Sequence, residues 1–304
     1  MKISSLPHGC VGIDESRPIG VLDWFDIAAV WGLNGVEIMD QWVTGDSISA
    51  ERETWNRPFM SDVQRKLSDL PLEVSAFINH GPYVWPSAQQ NEKDLDRVRF
   101  FMDWAAELGK IFRVTTGVGT KVFKGLPGYA APKTHIPDLE TTRVFSEMVD
   151  ILLPYAKARG LVIALEEHLG FAGTVAKMEK ILGLIADPGF GIAFDMKNTL
   201  REGEDPAVIL EKKNFMDRIL YTHVDNFRNT ASGWDRSVSI DRGEVDIRRL
   251  VLGLKANGYD GWLSVEYGGK QMNHVLHSAR WLRSVWNEGA PGTASASNNC
   301  KIPI

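Results

Sequence analysis

The sequence predicts a (β/α)8 barrel, an α/β fold of eight parallel strands each followed by a helix, as one domain over residues 1–288. Three observations carry this. Short apolar runs alternate with amphipathic stretches almost from end to end, at intervals of about 30 to 50 residues. Parallel strands joined by crossover helices are the economical solution for such an alternation. Eight units in 304 residues suit a closed barrel better than an open doubly wound sheet. An open sheet holding a dinucleotide would show G-x-G-x-x-G after its first strand. GVGTKVFKG (117–125) has glycines at the wrong spacing, and no ordered helix follows at once.

In chain order, KISSL (2–6) is the first strand candidate. VLDWFDIAAVWGLNG (21–35) reads as a helix with Leu22, Phe25, Ala29 and Trp31–Leu33 on or near one face, stopping at Asn34–Gly35. GVEIMD (35–40) and LEVSAFINH (72–80) are the next strands. NEKDLDRVRFFMDWAAELG (91–109) places its acids first and stops at Gly109, as a helix should. IFRVTTG (111–117) is followed by a long loop, then by the helical LETTRVFSEMVDILLPYAKARG (139–160). LVIALEEH (161–168), FGIAFDMKN (190–198), ILYTHVDNF (219–227) and GWLSVEYG (261–268) complete the strands. Their helices are TVAKMEKILGLIAD (174–187), PAVILEKKNFMDR (206–218), VDIRRLVLGLKANG (245–258) and a last one near 271–287. The closing GAPGTASASNNCKIPI (289–304) reads as a flexible tail, or one packed on a neighbouring subunit.

Composition excludes several classes. A net charge of −5 without a basic cluster argues against nucleic acid and anionic membrane surfaces. Only Cys10 and Cys300 are present, so no disulfide framework is expected and a reducing compartment fits. MKISSLPHGC lacks the apolar core of a secretory signal, and no run approaches the roughly 18 apolar residues of a membrane span. The expectation is a cytoplasmic protein.

Strand parity then singles out a set of side chains. In LVIALEEH, Val162, Ala164, Glu166 and His168 share one face, while Leu161, Ile163, Leu165 and Glu167 share the other. The smaller set suits a tight barrel interior, so Glu166 points in and Glu167 away. By the same alternation Asp195, His223 and Glu266 stand at or near the ends of the next three strands. The intervals are 29 (166 to 195), 28 (195 to 223) and 43 (223 to 266) residues. The C-terminal end of a barrel is where active sites sit. One acid there is more often a cap or an ion-pair partner. Three carboxylates around one cavity repel strongly, and a divalent cation is the simplest relief. Glu166, Asp195, His223 and Glu266 form an oxygen-rich set that favours Mn²⁺ or Mg²⁺, with Co²⁺ or Zn²⁺ also compatible. The lack of cysteine ligands argues against structural zinc.

The segments ALEEH, AFDMKN, THVDN and SVEYGG, in that order and spacing, resemble the xylose-isomerase-like barrels of the sugar phosphate isomerase/epimerase family. GLNGVEI (32–38) and ANGYDGWLSVEY (256–267) extend the resemblance over nearly the whole chain. It implies that Glu166, Asp195, His223 and Glu266 bind one divalent metal, and that Glu166 and Glu266 are the acid/base pair. Two positions depart from the pattern. Asn198 stands where many relatives have a histidine that touches substrate. Asp225, in HVDN (223–226), stands where a lysine is common.

Further candidates lie in the rim loops. His80, Trp85, His135, His168, Asn198 and Arg228 are expected substrate contacts; the alternatives are strand-end capping for His80, packing for the tryptophans, an extra acid or base or a solvated loop position for His135, and orienting the metal ligands for His168. Tyr83, Trp42, Trp55 and Trp234 share these loops. The 116–140 loop, with Lys121, Lys124, Lys133 and His135, has the length of a lid. Glu37 and Arg113 share the inward parity of their strands and are expected to form a buried ion pair beneath the site.

The expected activity is isomerisation or epimerisation of a keto-sugar or related polyol. It proceeds by proton abstraction α to a carbonyl, with the enediolate stabilised by the metal. No clean phosphate cradle is evident, which favours an unphosphorylated substrate. The alternative is a lyase or dehydratase acting on an inosose or a 3-keto-glycoside; the C-glycoside deglycosidases among such barrels also need a small partner subunit. Endonuclease IV-type chemistry is disfavoured by seven histidines in all and no basic rim. A homo-oligomer is neither required nor forbidden by the helices' outer residues.

Overall fold

The computed structural model describes residues 1–12, 17–44, 57–80, 88–115, 138–168, 170–231 and 233–288. The predicted barrel is there. Its strands are β1 (Lys2–Leu6), β2 (Gly35–Met39), β3 (Glu73–Asn79), β4 (Ile111–Thr115), β5 (Val162–Glu166), β6 (Phe190–Asp195), β7 (Ile219–Val224) and β8 (Trp262–Glu266). They pair in parallel in the order β1-β8-β7-β6-β5-β4-β3-β2. Asn34 ties the two ends of this series together. Its Oδ1 accepts from Ile3 N at 2.9 Å, and its own N–H donates to Ile3 O at 2.8 Å. Gly35 must lack a side chain here, because a Cβ would sit 2.5 Å from Glu73 O and 2.8 Å from the Trp262 ring.

The outer helices are α1 (Val21–Val30), α2 (Arg57–Ser68), α3 (Ala88–Leu108), α4 (Asp138–Lys157), α5 (Val175–Leu184), α6 (Ile247–Ala256) and α7 (Met272–Asn287). Two differences from the sequence expectation have local causes. α2 is too charged to stand out, yet Met60 and Val63 bury one stripe of it. The predicted helix over 206–218 is instead a 3-10 turn, Pro206–Glu211, and one α-turn, Lys213–Met216, broken at the extended Lys212. Thr174 caps α5 by accepting from Lys177 N, and Asp246 caps α6 by accepting from Arg249 N.

Bulky aromatics fill the layer between sheet and helices. Phe77 stacks on Phe112 with ring centroids 6.2 Å apart, and Phe145 lies against Phe171 and Phe190. The barrel interior holds the small set: Ala76, Ala164 and Ala193 make room for Tyr221 and Trp262. The Tyr221 hydroxyl reaches Ser75 at 3.1 Å and Ser4 at 3.3 Å, so the floor is polar but satisfied. Above that floor the strand ends carry their ionisable groups. Among the described residues no helix is long and apolar enough to cross a membrane.

Candidate metal centre and active site

β5 and β6 end on Glu166 and Asp195, and His223 lies one residue before the end of β7. Register does the positioning: Asp195 pairs with His223 across β6–β7, and Glu166 faces Ala193 across β5–β6. Each of the three is at most 3% exposed, and their donor atoms all lie within 4.8 Å of one another. His223 is strung between two carboxylates. Its Nδ1 is 3.1 Å from Glu166 Oε1, and its Nε2 is 3.0 Å from both oxygens of Glu37. Burial alone would depress its pKa, but Glu37 and the bonds to Glu166 overcome that and push it up to about 10. At neutral pH both ring nitrogens therefore donate.

Glu37 and Arg113, expected to pair with each other, are instead committed elsewhere. Arg113 Nη1 takes Glu166 Oε2 at 2.5 Å, where Thr115 Oγ1 also donates at 3.0 Å. Glu37 accepts from Ser264 besides His223. Arg113 thus reaches the carboxylate of the neighbouring strand β5, whereas His223 reaches across the barrel to Glu37 on β2 and Glu166 on β5. Burial opposes ionisation of Glu166, yet Arg113 and His223 hold it well below the usual carboxylate range.

Glu266 departs from the expected fourth ligand position. Its Oε2 is 3.7 Å from His223 Nδ1, but it is drawn toward cations: Arg236 Nη2 at 3.1 Å and Lys197 Nζ at 3.3 Å, with His8 Nε2 3.4 Å from Oε1. Against the cost of burial, Lys197 and Arg236 hold its pKa well below the ordinary value. Lys197 is 2% exposed, bonds Asp225 and lies 3.5 Å from Asp195 Oδ2. A lysine from the turn after the sixth strand thus sits against Asp225, the position singled out in the sequence. Lys197 shares the parity of Asp195 within the predicted strand 190–198, a signal available in the sequence, whereas Arg236 lies outside every predicted strand.

The donor chemistry fits a divalent cation. Two carboxylates and an imidazole converge, and the other imidazole nitrogen is bonded to a buried carboxylate that fixes the ring. Glu167, expected to point away, is 3% exposed and accepts from Asp195 N at 2.6 Å. Burial, then the Asp195 charge, raise its pKa well above the usual range, and it braces Asp195 from behind. Asn198 is fully buried; its Nδ2 donates to Asp195 Oδ2 at 2.9 Å, so it clamps that ligand rather than facing the cavity.

The remaining candidates are placed as follows. The described residues enclose a cavity of about 210 Å³ whose walls include His8, Trp42, His80, Arg113, Arg236 and Glu266. His168 is partly exposed, with Nδ1 buried and unpartnered among the described residues. Arg228 lies outside this cavity, on an exposed hairpin of Arg228–Thr230 with Gly233–Asp235, where it lines a separate groove with Arg242 and His274. Trp234, 43% exposed on the same hairpin, stacks on Phe227 with the Arg201 guanidinium 4.4 Å from its ring. Trp85, His135, Tyr83, Trp55, most of the 116–140 loop and the 289–304 tail lie outside the described residues.

Comparisons with known proteins agree with this fold. The chain is 23% identical over 149 residues to an inosose dehydratase of Lacticaseibacillus casei, covering 44% of this chain and 49% of that protein. It spans about half the length of the curated relatives it matches. In fold it is similar to the 3-keto-D-glucoside 4-epimerase YcjR of E. coli, with TM-score 0.70 and 18% identity over 93% of this chain and 99% of that one. It is also similar to the IolI protein crystallised with a zinc atom, with TM-score 0.68 and 15% identity over 94% and 98% of the two chains. The profile of the family described as xylose isomerase-like TIM barrel matches residues 25–285, and the chain belongs to that enzyme family.

Proposed function

We propose that this protein is a divalent-metal-dependent isomerase or epimerase of an unphosphorylated keto-sugar or related polyol. The observation that carries the reading is the convergence of Glu166, Asp195 and His223 donors within 4.8 Å, beside a cavity whose wall includes Glu266. Glu166, Asp195 and His223 would hold the cation, which would act as a Lewis acid on the substrate carbonyl and so acidify the neighbouring C–H.

The protein's own groups do the rest. Glu166 and Glu266 are both held ionised, by Arg113 and by Lys197 with Arg236, and so stand ready to accept a proton. Those same cations make them weak bases, so the transfer depends on a substrate proton that is already activated. One carboxylate takes the α proton. Return of a proton to the opposite face gives the epimer, and return to the neighbouring carbon gives the isomer. The buried Arg113 and Lys197 and the partly exposed Arg236 are each paired with a carboxylate, which leaves little free positive charge for a phosphate and supports an uncharged substrate. IolI's zinc and YcjR's keto-sugar substrate are consistent with this assignment.

The test is proton NMR in D₂O of the Mn²⁺-loaded protein with ketohexoses, inososes and 3-keto-glycosides. Deuterium should enter the carbon next to the carbonyl of a rearranged product, and Glu166→Gln should abolish it. No exchange with any member of the panel would sink the reading.

A further inference from the structure

Asp40 is 2% exposed and takes no part in the chemistry above. It opens the short helix Asp40–Thr44 directly after β2. Its Oδ1 accepts from Gln41 N at 2.8 Å and lies 2.9 Å from His80 Nδ1. Its Oδ2 accepts from His80 N at 2.7 Å and from Asn79 Nδ2 at 3.0 Å. One carboxylate therefore grips both the backbone and the ring of the residue that follows β3. A carboxylate oxygen facing N–H donors accepts, so Nδ1 carries the hydrogen and Nε2 is the nitrogen left for other work. The His80 side chain is 16% exposed and lines the same cavity as Glu266 and Arg113. Among the described residues Nε2 has no partner.

This is the arrangement of an oriented acid–base imidazole, a buried carboxylate on one nitrogen and a cavity before the other. Among the described residues, the other cationic candidates at the cavity already have partners, Arg17 on Gly9 O included. Arg113, Lys197 and Arg236 are bound into ion pairs, and His8 Nε2 lies 3.4 Å from Glu266. Isomerisation needs only the two glutamates. A third proton-transfer group, on the opposite side of the strand order from β7, suits a reaction in which a substrate oxygen must depart.

We propose that His80, positioned by Asp40, is the general acid that protonates an oxygen leaving the carbon β to the substrate carbonyl, making this site competent for elimination. The inference rests on the proposed proton abstraction. The α C–H bond breaks and its proton goes to Glu166 or Glu266. Its electron pair becomes the new C=C bond. The β C–O bond breaks with its pair on oxygen, and that oxygen takes the His80 Nε2 proton to leave as water or an alcohol. The Asp40 carboxylate is placed to balance the imidazolium before transfer, and solvent at the cavity mouth returns the proton.

The experiment uses the full Mn²⁺-loaded chain with methyl and 4-nitrophenyl 3-keto-β-D-glucosides in D₂O, comparing parent, His80→Gln, His80→Asn and Asp40→Asn. His80→Asn keeps an N–H for Asp40 but no titrating nitrogen, which separates chemistry from folding. Both His80 variants should slow loss of methanol by about 100-fold or more, and loss of 4-nitrophenolate, which departs without a proton, by less than about tenfold. Elimination should fall at least tenfold more than α-deuterium exchange. Asp40→Asn should lower kcat with little change in KM. Equal slowing of both glucosides overturns the assignment of His80. Exchange by the parent without elimination overturns it too, while leaving the isomerase reading intact. No exchange by the parent on either glucoside or on the wider panel overturns both.

Discussion

If His223 Nδ1 is a metal ligand, it must first lose the proton that Glu37 and Glu166 hold on it. With a pKa pushed up to about 10, the ring is about three pH units from giving up that proton at pH 7. Competition of that size weakens apparent metal affinity by about 10³-fold, ~4 kcal/mol. Affinity should therefore rise about tenfold per pH unit between pH 6 and 9, with one proton released per ion. Glu37→Gln removes the charge 3.0 Å from Nε2 and should move the end of that rise toward about pH 7. It also loosens the ring, so affinity on the high-pH plateau should drop about 10- to 100-fold. Free Mn²⁺ followed by EPR across the pH range gives the slope. Calorimetry in two buffers of different ionisation enthalpy counts the proton. A flat profile for the parent, or binding without proton release, would refute the assignment of His223 as a ligand carrying a displaced proton.

Further outcomes follow from the same contacts. Lys197→Met removes an ammonium 3.5 Å from Asp195 Oδ2 and 3.3 Å from Glu266 Oε2; divalent-metal affinity by calorimetry should rise about tenfold or more, while the metal-free protein loses stability. Glu166→Gln strands the buried Arg113 guanidinium, so denaturant unfolding of the metal-free protein should show a loss of roughly 3–5 kcal/mol. Asp246→Ala removes the cap of α6 far from the site and should cost about 1 kcal/mol with turnover unaffected.

The fold was legible because every strand announces itself by an apolar run and the barrel length fits eight of them. α2 escaped notice since only a narrow stripe of it is apolar, and the 206–218 segment misled because Pro206 and Asp205 favour a tight turn that ends at Lys212. Within the site, parity placed Glu166, Asp195, His223 and Glu266 at one end of the barrel, because a two-residue repeat leaves no freedom along a strand. What parity cannot do is trace a loop. Lys197 and Arg236 enter from segments beyond strand ends, and the Asp40–His80 bond joins residues 40 apart in sequence. Asn198 was expected to touch substrate; one helical turn at Asn198–Arg201 folds it back onto Asp195 instead.

The crowding of carboxylates is, by itself, a poorer argument for a metal than the sequence suggests. Glu37, Glu166, Asp195, Asp225 and Glu266 are five negative groups, and Arg113, Lys197, Arg236 and protonated His223 supply four positive ones. Burial and the nearby Asp195 charge disfavour ionisation of Glu167 as well, so the site is nearly balanced before any ion arrives. It is the convergence of donors, not their repulsion, that speaks for a cation. The consequence is a fold that should survive without one. A structural metal site collapses on chelation because its ligands have no other partners; here each ligand has one. Treatment with EDTA should leave a cooperative thermal transition and an unchanged far-ultraviolet spectrum. The midpoint should fall only by mass action, about 2.7 kcal/mol of stabilisation lost from protein previously held at 100 times the Kd. Unfolding on chelation would mean that Lys197, Arg236 and His223 do not neutralise the site, and that the charge balance drawn from these ion pairs is wrong.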